Sequence, residues 1–131
     1  MKTKTIKQTV NFSANPQDIY KMLMDSKLHA KFTGDVAKIG TKVGQKFSAY
    51  IGYITGINLE LKPGKKIVQS WRGSDWPEGI FSKATFTLAK TLTGTKLTFT
   101  QTGVPLSQYK NIKQGWVDYY WQPMKEFLEN K

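Results

Sequence analysis

In TKTIKQTVNF, residues 3–12, Ile6, Gln8, Val10 and Phe12 fall on one side and Lys7, Thr9 and Asn11 on the other, the two-residue period of a half-buried strand. The period then changes. Asn15, Pro16 and Asp18 form a helix start: the Asn side chain accepts from a first-turn amide, and proline needs no donor at the first helical position. Ile19 and Leu23 share the buried face of that helix, and a second short helix through Leu28 to Phe32 is expected to end at Gly34.

From Gln45 onward the two-residue period returns. QKFSAYIGYITGINLELKPGKKIVQSWR reads as three antiparallel strands, with turns near Ile51-Gly52 and at Lys62-Pro63-Gly64-Lys65, where glycine takes the positive φ of a type II turn. On the last of these strands Ile67, Gln69 and Trp71 share one face, and Val68, Ser70 and Arg72 share the other. Two further strands follow. Residues 80–90 set Ile80, Ala84, Phe86 and Leu88 against Phe81, Lys83, Thr85 and Thr87, and residues 93–103 place Leu97 and Phe99 inside. Gln8, Gln69 and Gln101 each sit among the inward residues of a strand. A buried amide without a partner costs about 1–3 kcal/mol. These three therefore lie near strand ends, satisfy one another and the tyrosines, or line a wet or ligand-filled cavity.

Residues 107–131 carry Ile112, Trp116, Tyr119, Tyr120, Pro123 and Phe127 on one broad stripe at helical spacing. Pro123 has no amide donor and clashes with the carbonyl four residues back, so a kink is expected near Tyr119 to Pro123. The order is one strand, two short helices, a meander and one long helix. An α+β architecture buries both apolar faces economically, with a curved antiparallel sheet wrapped around the terminal helix.

The loop in SWRGSDWPEGIF, residues 70–81, holds two tryptophans five positions apart. Trp71 follows the strand's alternation inward, either as core or as a cavity wall. Trp76 does not follow it. Stiffened by Pro77, it caps a cavity mouth, anchors a partner together with Arg72, or packs on the sheet edge.

Composition narrows the function more than it specifies it. At 131 residues the chain reads as one domain, 1–131, large enough to bury a core. It has no apolar run of membrane-spanning length and no secretory h-region, and it lacks cysteine, which fits a reducing cytoplasm. The net charge is +11, yet Arg72 is the only arginine among 20 basic residues, and the lysines are spread along the whole chain. Base readout and bidentate phosphate clamps favour arginine's planar fork, so no specific nucleic-acid binding is expected.

Nothing points to catalysis. His29 is the only histidine and reads as an exposed residue of the second helix. Neither a metal site, a cofactor motif nor a catalytic triad can be assembled from one histidine, no cysteine and scattered carboxylates.

Residues 52–88, GYITGINLELKPGKKIVQSWRGSDWPEGIFSKATFTL, and residues 114–128, QGWVDYYWQPMKEFL, resemble the C-terminal domain family of the activator of heat-shock-protein-90 ATPase, within the START-like (SRPBCC) group. The most specific segments are Ile67-Val68, Trp71-Arg72, Trp76-Pro77-Glu78-Gly79, and Gly115-Trp116 followed by Tyr119-Tyr120. The resemblance implies a helix-grip fold with a cavity between sheet and helix. Its expected lining is Gln8, Tyr53, Gln69, Trp71, Phe86, Phe99, Gln101, Trp116 and Tyr120. The eukaryotic activators carry a further N-terminal domain, for which 131 residues leave no room. The expectation is a non-enzymatic domain binding a lipid-like or aromatic small molecule. The alternatives are a module regulating a chaperone ATPase and, third, a cyclase-like enzyme acting in the cavity.

Overall fold

The computed structural model describes residues 2–130. Strand β1 (Thr3–Phe12) is followed by α1 (Pro16–Met24), α2 (Ser26–Thr33) and six more strands: β2 (Lys38–Ile39), β3 (Lys46–Ala49), β4 (Ile54–Lys62), β5 (Lys66–Gly73), β6 (Ser82–Thr91) and β7 (Gly94–Pro105). All pair antiparallel in one sheet of order β1-β7-β6-β5-β4-β3-β2. A 3-10 turn (Leu106–Gln108) leads into α3 (Tyr109–Trp116), a π-helical turn (Val117–Trp121) and α4 (Gln122–Glu129). This is the helix-grip architecture, a curved sheet closed around a C-terminal helical run.

Local chemistry fixes the joints. The Asn15 side chain accepts from the Asp18 amide at 2.9 Å, and Pro16 opens α1. The Asp25 side chain accepts from Leu28 N and starts α2 directly after α1. Gly34 closes α2 at φ 77°, a left-handed value that suits glycine. Tyr50 and Ile51 adopt φ of 50° and 55° in the β3–β4 turn, a conformation that costs a side-chain-bearing residue on the order of 1 kcal/mol. The distortion directs Tyr50 toward the helix.

The core is the concave face of the sheet under the helices, with Ile6, Ile67, Leu97, Phe99 and Met124 completely buried. The helical stripe departs from a simple 3.6-residue reading. Tyr119, expected on the buried stripe, is 59% exposed, and Trp121, outside that stripe, is buried. The π-helical turn is the reason. A wider turn aligns residues about five apart, so Trp116 and Trp121 face the sheet together, their rings stacked at 5.4 Å and 22°.

Candidate functional site

Between the helix and the β4–β5 part of the sheet the layers stand apart, leaving a cleft of about 360 Å3. Its sheet side is Tyr53, Ile54 and Trp71, joined by Tyr50 from the β3–β4 turn. Its helix side is Ile112, Gly115, Trp116, Tyr119 and Tyr120, with Asn111 beside them. Gly115 makes the room: a Cβ built there would meet only Tyr119 Cδ2, at 3.7 Å. Among the described residues no charged side chain lines the cleft, although the chain carries 20 basic residues.

The phenols around the cleft are held in place. Tyr50 donates its hydroxyl to the Tyr119 carbonyl. That carbonyl lies four residues before Pro123, which has no N–H to offer it, so the proline leaves an acceptor that Tyr50 takes up. Tyr53 donates to Asp75 Oδ1 at 2.8 Å; burial, with the Asp75 hydrogen bond and charge behind it, pushes its pKa up to about 12. Burial, then the Asp35 charge and Tyr119, raises Tyr50 as well. Tyr120 is enclosed, and burial raises it well above the usual phenol value. All three stay neutral at ordinary pH, so the cleft offers aromatic faces and neutral dipoles.

Four of the expected lining residues, Tyr53, Trp71, Trp116 and Tyr120, meet in this cleft. Gln8, Gln69, Gln101, Phe86 and Phe99 do not line it. Gln101 is completely buried, accepts from the Trp116 indole at 2.8 Å and donates to Ser82 Oγ at 2.8 Å. Gln8 accepts from the Trp121 indole at 2.7 Å and donates to the Lys113 carbonyl at 3.0 Å. Gln69 donates to Asn58 Oδ1 at 3.1 Å. The alternation aims these amides inward as read, but the partners that satisfy them are indole N–H groups and loop-holding polar groups. Phe86 and Phe99 pack under the same indoles, with Phe99 4.4 Å from Trp116 between ring centres.

Trp76 corrects the picture of an exposed loop anchor. It is 3% exposed and packs on Trp71 at 5.5 Å. Arg72 explains why the loop folds back: its guanidinium donates to the carbonyls of Trp76 (2.6 Å), Pro77 (3.2 Å) and Ile80 (3.3 Å). Gly73 leaves the space, since a Cβ there would sit 2.6 Å from the Tyr53 hydroxyl and 3.0 Å from Trp76 Nε1. Arg72 is thus occupied within its own loop, and of the three candidate partner residues only Pro77 is exposed.

His29 is also buried, not exposed. Its Nε2 lies 2.9 Å from the Tyr120 hydroxyl, and burial lowers its pKa to about 4. The signal in the sequence was its spacing of three from Phe32, which packs against it at 5.0 Å. Tyr50, Ile54, Asn111, Ile112, Gly115 and Tyr119 also line the cleft and were not among the expected lining, although the helical stripe had marked Ile112 and Tyr119.

Residues 13–129 match the model of a family described as "Activator of Hsp90 ATPase homolog 1-like protein". A Dictyostelium discoideum protein named activator of 90 kDa heat shock protein ATPase homolog is 36% identical over 87% of this chain and 30% of its own length. A human protein, activator of 90 kDa heat shock protein ATPase homolog 1, is 32% identical over 93% of this chain and 36% of its own. The chain therefore spans about a third of these relatives. The crystal structure of an HSP90 activator from Plasmodium falciparum superimposes with a TM-score of 0.88 at 26% identity, covering 95% of this chain and 96% of that one.

Proposed function

The chain belongs to the Activator of Hsp90 ATPase homolog 1-like family, and we propose that it acts as a non-enzymatic binding domain that takes a neutral, largely aromatic small molecule in the Tyr50–Trp116 cleft. The supporting observation is an aromatic cleft of about 360 Å3 free of charged lining in a strongly basic chain. That volume is within the range of small-molecule sites, and the lining favours planar apolar rings over an anionic headgroup. A non-enzymatic role is supported by the relatives' names, which are those of activators.

A matched pair of dyes tests this reading: neutral N-phenyl-1-naphthylamine and its anionic 8-sulfonate. The expected result is saturable, salt-insensitive, one-to-one binding of the neutral dye, abolished by Gly115→Leu. Weak, salt-dependent binding of the sulfonate to surface lysines is expected alongside it. Neutral-dye binding that is absent, or indifferent to Gly115→Leu, would overturn the cleft reading.

A second reading, regulation of a heat-shock-protein-90-type chaperone, is favoured by the names of the relatives at 36% and 32% identity. It is tested by the ATPase rate of such a chaperone with and without this chain. A stimulated rate supports the reading, and an unchanged rate across a full titration removes it. We assign either role to the cytoplasm, in keeping with the absence of cysteine. No helix among the described residues is long and apolar enough to cross a membrane.

A further inference from the structure

Behind the cleft lies a second chamber of about 20 Å3, enough for one water-sized oxygen. It shares three wall residues with the cleft, Trp71, Trp116 and Tyr120, and adds Gln69 and His29 on its far side. His29 is one of the residues lining this chamber, and its Nδ1 is buried with no hydrogen-bond partner among the described residues. The hydrogen-bond count assigns its proton. The enclosed Tyr120 hydroxyl has the imidazole as its partner, so the arrangement leaving fewest orphans has the hydroxyl donating to Nε2 and the proton on Nδ1. What remains is a buried N–H donor without an acceptor, a costly feature for a fold to keep. Of the three shared walls, Tyr120 stands on the π-helical turn, where the helix leaves its ordinary register.

We propose that the His29 chamber is the inner subsite of the cleft, where Nδ1–H binds a carbonyl or ether oxygen of a neutral ring ligand once Tyr120 turns aside. This rests on the cleft being a ligand site and adds a polar requirement to it. The ligand is an oxygen-bearing polycycle or aryl ketone, with its rings in the cleft against Trp71 and Trp116 and its oxygen toward His29. A pure hydrocarbon fills the cleft without reaching the donor, and an anion meets no countercharge in the lining.

Fluorene and 9-fluorenone test this, because they share a ring system and differ in a CH2 and a C=O. Affinities for both are measured on the intact chain and on His29→Phe. The expected result is that the fluorenone-to-fluorene affinity ratio falls about tenfold from wild type to the variant. A ratio that does not change overturns the subsite while leaving the cleft standing. Binding of neither compound to wild type overturns the subsite and the cleft reading together. Histidine-labelled wild-type protein gives a readout that does not depend on the variant folding. Fluorenone, and not fluorene, is expected to move the Nδ1 nitrogen resonance, and an unmoved resonance under saturating fluorenone overturns the subsite.

Discussion

Along β1 and β7 the C-terminal helix is hydrogen-bonded to the sheet, whereas along β4 and β5 it stands off and leaves a cleft. On the first side the Trp121 and Trp116 indoles each donate to a glutamine, Gln8 from β1 and Gln101 from β7, and Phe86 and Phe99 fill the space beneath. On the second side a glycine, Gly115, faces the sheet where a side chain would otherwise fill the gap. Apolar contacts alone are non-directional and would let a helix roll toward the wider gap. Two directional bonds on one side, with the Tyr50 hydroxyl on the Tyr119 carbonyl at the cleft, fix its height and rotation and hold the cleft open. The contrast teaches that the buried glutamines serve the cleft from a distance, by keeping the helix from closing it.

The largest effect is expected where the bonded side is broken. Trp116→Ala removes the indole that touches Trp71, Phe86, Phe99, Tyr120 and Trp121, and it orphans the Gln101 carbonyl. Urea unfolding is expected to show a loss of about 3–5 kcal/mol. A loss under 1 kcal/mol would mean that the helix is seated by something else. Trp76→Ala is expected to cost nearly as much, on the order of 3 kcal/mol, because the ring is buried on Trp71. A near-neutral change at Trp76 would restore it as a surface anchor.

Acid should act on the standing-off side. The His29 imidazole is neutral in the fold, with its pKa lowered to about 4 from 6.5. Between those values the unfolded chain holds the proton and the folded chain does not, so stability falls as pH drops from about 6.5 to 4 and levels off below that. The shift corresponds to about 3 kcal/mol across the window. Urea midpoints at pH 7, 5.5 and 4 measure the decline, and His29→Phe should remove this component of it. An identical decline in the variant would assign the acid sensitivity to other groups.

Next in size is Gln101→Leu. If the amide only filled apolar space, leucine would be tolerated or stabilising. Here it leaves the Trp116 N–H without an acceptor and the Ser82 hydroxyl without its amide donor, and the expected cost is about 1–3 kcal/mol. Gln8→Leu should cost less, since Gln8 is only half-buried. A more stable Gln101→Leu protein would show that the bonded side owes its position to packing alone.

How far the sequence foretold these features depended on how local their cause is. The two-residue alternation and the Asn15-Pro16 start gave β1 and α1, because strand faces and helix caps are set within a few residues. Two-residue β2 has too few positions to show a period. The inward aim of Gln8, Gln69 and Gln101 was legible, but their partners were not, because Trp121 lies 113 residues from Gln8 and Trp116 lies 15 from Gln101. Of the alternatives left open for Trp76, packing is the one the structure bears out: the ring lies on Trp71, five residues away, in a loop that Arg72 holds. His29 was misread as exposed because its local stretch is polar and the residue that covers it, Tyr120 of the helix, lies 91 positions away. Part of the cleft was foreseeable from Tyr53, Trp71, Trp116 and Tyr120. Gly115, which makes its volume, carries no chemistry of its own to mark it.

The smallest effect on stability should have the largest effect on binding. Glycine within a helix is unfavourable by about 0.5–1 kcal/mol relative to alanine, because it gives up more backbone freedom. Gly115 is in the last turn of α3 and is not held there by crowding, since a Cβ at that position has only Tyr119 nearby. Gly115→Ala should therefore raise stability by up to about 1 kcal/mol and trim the cleft by one methyl group. Gly115→Leu keeps most of the helical gain and projects four carbons between Trp71 and Tyr120, where a ring ligand would lie. Unfolding measurements on the pair should agree with wild type within about 1 kcal/mol, while neutral-dye binding weakens in the alanine variant and disappears in the leucine variant. Were both variants markedly destabilised, the helix would be closer to the sheet at this point than the cleft requires, and Gly115 would be a packing residue on a closed interface.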